Sequence, residues 1–188
     1  MFSERHVVSA IQDKLILWTG EKHSGKTTSV ARLVKIVRAE GFNVAGVLAP
    51  SVYHNGRLIG FDVLDLRNGS RAPLTRRRMD DAKMSPFVFT DKGMKLGHAA
   101  LRQGSVECAD LVVVDEFGPL ELRGQGWRSS VDSLLASITA TILLVVRREL
   151  VDPVHHIYAD FYGWNINADE PNSLNKIIDI LNNRRRLL

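Results

Sequence analysis

The amino-acid sequence predicts an α/β fold with a mostly parallel β-sheet flanked by helices and an antiparallel β-hairpin insertion. Short apolar runs alternate with segments of helical periodicity along the 188 residues, a pattern typical of parallel strands joined by crossover helices. The alternation is interrupted at about residues 52–67, where the sequence favours a hairpin. Neither a repeat nor a low-complexity linker divides the chain, so residues 1–188 are predicted to form a single domain.

The first predicted elements enclose a glycine-rich loop. Residues 20–27 read GEKHSGKT and fit the phosphate-binding pattern G-x-x-x-x-G-K-[ST]. The apolar run LILW before the loop predicts a buried strand, and the spacing of Val30, Leu33, Val34 and Val37 behind it predicts a helix. The N–H groups of such a loop and the positive end of the helix dipole favour an anion. The stretch is therefore interpreted as a nucleotide site.

Every residue of this loop is expected to line the bound phosphates. Lys26 is predicted to reach the β- and γ-phosphates and to act in catalysis, and the Thr27 hydroxyl to bind Mg²⁺. Lys22 and His23 either add donors to the phosphates or face solvent. The predicted phosphate-binding residues are Gly20, Glu21, Lys22, His23, Ser24, Gly25, Lys26, Thr27 and Thr28.

The elements that follow include the hairpin. Asn55-Gly56 accepts the positive φ values that a tight hairpin turn requires. An arginine-rich stretch comes next and is expected to be a polar loop. The predicted elements are a strand at 44–52, its return at 58–66, the loop at 71–81, a strand at 87–89 and a helix at 98–109.

A second site signal is an apolar strand that ends in two acids. The run LVVV at residues 111–114 is followed directly by Asp115 and Glu116. The strand is expected to bring Asp115 to the carboxyl edge of the sheet, where it binds Mg²⁺ together with Thr27. Glu116 is predicted to orient or deprotonate a water molecule. Because neighbouring strand residues point to opposite faces, both acids reach one site only if the chain turns, and Gly118-Pro119 is the expected turn.

Arginines provide candidates for stabilising the charge that develops during phosphoryl transfer. Arg147 and Arg148 follow a predicted central strand at residues 142–146, and Arg147 is the first choice as a catalytic residue. The arginines of residues 71–78 are a further possibility, since their loop is able to close over the ligand. The remaining predicted elements are a helix at 126–137, a strand at 161–166 and a helix at 174–181.

Composition limits the range of partners and compartments. The formal net charge is +4, and three of these charges come from residues 184–186, which are expected to be a frayed end. A nucleic-acid partner is therefore not expected. The single cysteine, Cys108, excludes an internal disulfide and is predicted to be a buried structural thiol. Without a signal-peptide pattern or a membrane-length apolar run, a cytoplasmic monomer without a membrane partner is expected.

Four stretches together resemble the P-loop nucleoside triphosphatases typified by the cancer-related nucleoside-triphosphatase. They are residues 20–28, GVL at 46–48 with RLIGFDV at 57–63, PL at 73–74, and VVDEFGPLEL at 113–122. The resemblance implies a P-loop NTPase domain that hydrolyses nucleoside triphosphates with Mg²⁺ and little base preference, although some members are described as nucleotide kinases. It implies phosphate contacts for Gly20, Gly25, Lys26, Thr27 and Thr28, metal binding by Asp115 and water activation by Glu116. This chain lacks the arginine that usually follows a C-terminal asparagine, so no base contacts are carried over.

Three functions therefore follow from the sequence. The first is Mg²⁺-dependent hydrolysis of a nucleoside triphosphate, ATP or GTP, with wide base tolerance. The second is a kinase for a nucleotide or another small molecule, with the arginine-rich loop as a lid and Glu116 as the base for the acceptor hydroxyl. The third is a nucleotide-switched binding protein, with the hairpin at residues 52–66 as its partner surface.

Overall fold

The computed structural model describes residues 14–22, 24–78 and 86–187, and a nine-stranded sheet runs through them. The strands are β1 (Leu15–Gly20), β2 (Val44–Leu48), β3 (Ser51–His54), β4 (Arg57–Asp65), β5 (Arg71–Arg77), β6 (Phe87–Phe89), β7 (Leu111–Phe117), β8 (Thr141–Arg147) and β9 (Tyr162–Asn167). The helices are α1 (Lys26–Ala39), α2 (Asp91–Ala100), α3 (Gln103–Val106), α4 (Pro119–Leu122), α5 (Arg128–Ser137), α6 (Val151–Ile157) and α7 (Ser173–Leu187).

The sheet has a parallel half and an antiparallel half. Its order is β6-β5-β4-β2-β7-β8-β1-β9, and β3 pairs with β4 outside this path. Strands β2, β7, β8, β1 and β9 are parallel neighbours, whereas β3 to β6 pair antiparallel. This arrangement confirms the predicted α/β class, with helices on both faces of a mostly parallel sheet.

Alternation along the central strands builds a core on each face. In β1, Leu15 and Leu17 belong to one apolar cluster, while Ile16 and Trp18 belong to the other. Residues of α1 and α7 complete the second cluster, and residues of α5 and α6 complete the first. Since β1 is buried on both faces, its carboxyl end is fixed in position, and the glycine-rich loop starts from a rigid base.

The hairpin turn is confirmed, but the strand before it is shorter than predicted. Asn55 and Gly56 have φ values of 47° and 74°, as a two-residue hairpin turn requires. The run predicted as one strand at 44–52 is divided into β2 and β3, with Ala49 and Pro50 outside both strands. Proline cannot donate a ladder hydrogen bond, so the chain leaves β2 at this point.

The prediction of an arginine-rich loop at 71–81 is wrong over its described part, where the chain forms β5. Ala72 and Leu74 are buried, and β5 pairs with β4 and β6. Arg71 and Arg76 form ion pairs of 2.7 and 2.6 Å with Asp62 on β4. The neighbouring carboxylate allows arginines in a strand, and the sequence pattern did not reveal this pairing.

The helix predicted at 98–109 is also wrong in its bounds. Helix α2 begins earlier, at Asp91, because the Thr90 side chain accepts a hydrogen bond from the N–H of Gly93. The helix ends at Ala100, and α3 is separate. Cys108 lies beyond α3 and is exposed, so the prediction of a buried thiol is wrong.

The C-terminal helix is longer than predicted and includes the three arginines that were expected to fray. The Arg185 guanidinium lies 3.9 Å from the centre of the Phe42 ring and donates to the Gly41 carbonyl. It also forms an ion pair of 3.3 Å with Asp110. These contacts extend α7 to Leu187. Among the described residues, no helix has both the length and the hydropathy needed to cross a bilayer.

Candidate functional site

The glycine-rich loop runs from the end of β1 into the first turn of α1. A Cβ atom on Gly20 would lie 2.9 Å from the Ser24 hydroxyl oxygen, so a side chain at this position would displace that of Ser24. Gly25 has a φ value of 84° and is the N-cap of α1. Because glycine carries no side chain to cap the helix, the N–H groups of the first turn are available to an anion.

The Lys26 side chain folds back across this loop. Its amine donates to the carbonyl oxygens of Gly20 and Glu21, at 3.1 and 2.5 Å. Burial lowers the pKa of Lys26, and the neighbouring Arg147 lowers it further, while Glu116 and Asp115 act in the opposite direction. The amine therefore lies among the acids and the arginine predicted for the site.

Asp115 is buried and held in one orientation. One carboxylate oxygen accepts a hydrogen bond of 2.9 Å from the N–H of Ala49, and the other accepts one of 3.0 Å from the N–H of Glu116. Burial raises the pKa of Asp115 to about 6, although the two backbone hydrogen bonds and the nearby Thr27 side chain oppose the shift. The two predicted metal-binding side chains thus lie near one another.

Glu116 has a backbone conformation that is unusual for glutamate. Its φ value is 63°, and the pairing between β7 and β8 shifts register between Val114 and Phe117. This bulge is the turn that allows consecutive acids to reach one site, so the expectation that the chain turns at Gly118-Pro119 is corrected. The Glu116 carboxylate lies 4.0 Å from the Arg147 guanidinium.

Strand β8 brings two arginines beside the loop. Arg147 is the last residue of β8 and is in register with Gly20 on β1. Arg148 follows it and forms an ion pair of 3.2 Å with Glu21 in the loop. The structure therefore brings together Lys26, Thr27, Asp115, Glu116 and Arg147, which are the residues predicted to act on the phosphates.

Other predicted residues are placed differently. Lys22 is exposed, and His23 lies outside the described residues. Ser24 and Thr28 face a groove on the opposite side of the loop from Arg147. Arg71 and Arg76 are held by Asp62 on the antiparallel half of the sheet.

Sequence reasoning missed the role of Glu121. This carboxylate is buried and accepts hydrogen bonds of 2.8 Å from the N–H of Gly118 and 3.1 Å from the N–H of Trp127. It closes the segment that leaves β7 and so fixes the strand end that carries both acids. The sequence signal for this role was a single acid in the otherwise apolar stretch PLEL. An acid that is buried with such a stretch needs hydrogen-bond donors around its carboxylate.

The donor set at the loop suits a magnesium ion. A hydroxyl and a nearby buried carboxylate are hard oxygen ligands, which Mg²⁺ prefers, and its remaining positions are usually filled by water and phosphate oxygens. Within the described ranges, no group of three or more histidine, cysteine, aspartate or glutamate side chains has a geometry that could hold a metal ion.

A phosphate-binding loop after the first strand of a mostly parallel sheet, facing an acidic strand end, defines a P-loop NTPase fold. The family model described as NTPase matches residues 15–178. The chain belongs to this family of enzymes.

Relatives and solved structures agree with this assignment. The nucleoside-triphosphatase THEP1 of Methanothermobacter thermautotrophicus is 34% identical over 72% of this chain and 78% of its own length. That of Thermococcus kodakarensis is 34% identical over 73% and 78%. The solution structure of a human cancer-related nucleoside triphosphatase has a TM-score of 0.67 at 24% identity, covering 93% of this chain and 98% of its own. The crystal structure of THEP1 from Aquifex aeolicus also has a TM-score of 0.67, at 20% identity, over 89% and 98%. At these identities, the two structures show a shared fold.

Proposed function

We propose that the protein hydrolyses nucleoside 5′-triphosphates, including ATP and GTP, to the diphosphate and phosphate in a Mg²⁺-dependent reaction. The position of Glu116 carries this proposal. The bulge in β7 supports it, because the Glu116 carboxylate follows Asp115 directly and lies 4.0 Å from Arg147. A site that only transfers phosphate to an acceptor has less need of such a carboxylate, whereas hydrolysis requires a group that orients water.

Each side chain has a separate role in the proposed reaction. The N–H groups of the loop and the Lys26 amine bind the β- and γ-phosphates, and Glu116 orients the attacking water by accepting its proton in a hydrogen bond. Arg147 donates to the oxygens on which negative charge grows as the bond to the leaving diphosphate breaks. The 4.0 Å separation of Glu116 and Arg147 supports assigning both groups to the same phosphate.

Thr27 and Asp115 are proposed to hold the metal. The influence of Thr27 on the pKa of Asp115 supports this pairing, because it requires the two side chains to be near one another. When bound, Mg²⁺ would neutralise charge on the β- and γ-phosphates. Asp115 is kept in place by the N–H groups of Ala49 and Glu116, so it does not need to reorganise when the metal binds.

The kinase alternative loses support for its proposed lid, since three of the four arginines assigned to it lie in β5 and two of these are paired with Asp62. The family relatives carry the name nucleoside-triphosphatase, which supports hydrolysis for this chain. A single-domain organisation, a monomeric state, a cytoplasmic location and the lack of nucleic-acid and membrane partners stay predictions.

Phosphate release from ATP and GTP tests the proposed function. We expect release with Mg²⁺ alone, none in EDTA, and no increase when a panel of nucleoside monophosphates is added as acceptors. Lys26→Ala is the control, because it removes the phosphate ligand while leaving the apolar core untouched. Phosphate transfer to a monophosphate without net release would contradict hydrolysis, and full activity in EDTA would remove the metal role.

A further inference from the structure

A groove of about 690 Å³ adjoins the phosphate loop on the side of β9. Thr28 and Arg32 of α1 line one wall, and Glu170, Leu174 and Asn175 line the other. The second wall is tied to the sheet, because the N–H of Ala168 donates to the Thr19 carbonyl at 2.7 Å. Both walls therefore have fixed positions relative to the loop.

The order of the strands fixes the direction of a bound triphosphate, if the proposed function holds. Asp115 and Arg147 lie at the ends of β7 and β8, on one side of β1, whereas the groove lies on the other side, next to β9. A γ-phosphate placed beside Arg147 leaves the nucleoside to extend towards β9. The groove is thus where the base and ribose would lie, and its volume is in the range of small-ligand sites.

We infer that Glu170 gives this site a preference for guanine over adenine. A carboxylate offers only acceptors. The Watson–Crick edge of guanine presents two adjacent donors, N1–H and the N2 amino group, which match a carboxylate. Adenine presents an unprotonated N1 at the same place, so its lone pair would face the negative charge. The preference arises within a site that still admits other bases, because Glu170 is half exposed.

The surroundings of Glu170 suit this role. Lys176 donates to one of its carboxylate oxygens at 2.9 Å, which holds the carboxylate on the rim of the groove. The flat guanidinium of Arg32 and the apolar side chain of Leu174 come from opposite walls. A guanidinium stacks well on a planar ring, so these two side chains are expected to cover the faces of the base while Glu170 contacts its edge.

Steady-state kinetics with GTP, ITP and ATP test this inference. We expect kcat/KM for GTP to exceed that for ATP by about tenfold, as one hydrogen bond to a charged group supports. ITP, which lacks the N2 amino group, should fall between them. Glu170→Gln should bring the GTP-to-ATP ratio to within about twofold, because an amide presents a donor as well as an acceptor. Asp169→Asn, a neighbouring carboxylate outside the groove lining, should leave the ratio unchanged.

The outcomes separate this inference from the proposed function. Equal kcat/KM for GTP and ATP in the wild type would overturn the preference while leaving hydrolysis intact. Equal losses for all three nucleotides in Glu170→Gln would overturn it too, since they would indicate a ribose contact. If the wild type hydrolyses none of them, the proposed function fails, and calorimetric titration with GDP and ADP decides the inference: a similar affinity for both overturns it.

Discussion

At the scale of single residues, the most consequential feature is the backbone of Glu116. A left-handed conformation costs an ordinary L-residue roughly 1–2 kcal/mol, and β7 keeps it at the position where the bulge aligns both acids. Strain of this kind persists where the surrounding structure enforces it, and it concentrates at functional sites. Here the buried Asp115 holds the chain on one side of Glu116. On the other side it is held by Glu121, whose carboxylate accepts hydrogen bonds from the N–H groups of Gly118 and Trp127.

The backbone strain at Glu116 predicts that replacing this residue by glycine increases stability but reduces activity. Glu116→Gly should raise the free energy of unfolding by about 1 kcal/mol, because glycine adopts this conformation without steric cost. Glu116→Gln keeps the strain and should be as stable as the wild type. Both variants should lose turnover. Urea unfolding and phosphate release measured on both variants check this, and a glycine variant less stable than the glutamine variant would contradict it.

Asp115 and Glu116 should also differ in what they contribute to binding. Asp115→Asn is expected to weaken Mg²⁺ and nucleotide binding together, because the carboxylate is proposed to be a metal ligand. Glu116→Gln should bind ATP with Mg²⁺ about as well as the wild type, while its turnover falls by roughly 10²–10⁴, the usual contribution of a positioned base. Calorimetry and phosphate release distinguish the two. Normal hydrolysis by Glu116→Gln would remove the water-orienting role.

At the scale of elements, the sequence predicted what short-range patterns encode. The loop, its flanking strand and helix, the Asn55-Gly56 turn and the acidic strand end of β7 all follow from local chemistry. Strand β5 was missed because its stabilising contacts are remote in sequence, whereas the local Thr90 cap that begins α2 was overlooked. Asp62 pairs with arginines 9 and 14 residues away, and a Cβ on Gly97 would meet the Trp127 ring at 2.3 Å. Such contacts stabilise arginines within a strand and a glycine within a helix.

The last turns of α7 are also stabilised by contacts that are remote in sequence, and their contribution to stability can be measured. Arg185 contacts the Phe42 ring, the Gly41 carbonyl and Asp110. Arg185→Ala should therefore lower the free energy of unfolding by about 1 kcal/mol, the size of a partly exposed cation–π contact with its ion pair. The exposed neighbour provides the control: Arg186→Ala should change stability by less than about 0.5 kcal/mol. Equal effects of the two variants in urea unfolding would contradict the role of Arg185.

At the scale of the whole molecule, stability should depend on pH through Lys14. This lysine is buried and its amine donates to the carbonyls of Leu134 and Leu135, at 3.3 and 2.6 Å, near the end of α5. Burial lowers its pKa from 10.5 to about 8, and Arg184 adds to the shift. Between about pH 8 and 10.5 the unfolded chain therefore binds more protons at this site than the folded chain does. The contribution of Lys14 to stability must then rise with pH over this window.

A comparison with Lys14→Met isolates this effect from other titrating groups. The free energy of unfolding of the wild type, relative to that of the variant, should increase between pH 7.5 and 10, with most of the change above pH 8. Urea unfolding at several pH values measures it. A constant difference would show that the buried amine keeps its ordinary pKa, and a difference that decreases with pH would show that folding raises this pKa.

The register of β8 against β1 also has a consequence for how turnover depends on protein concentration. Because Arg147 lies beside Gly20 on the adjacent strand, the proposed catalytic arginine comes from the same chain, whereas many nucleotide hydrolases receive theirs in trans from an activating protein. Turnover per molecule should then be independent of protein concentration. Dilution from micromolar to nanomolar should leave kcat constant, and a kcat that falls on dilution would mean that a second copy completes the site. Catalysis by this protein should therefore require no encounter except that with its nucleotide.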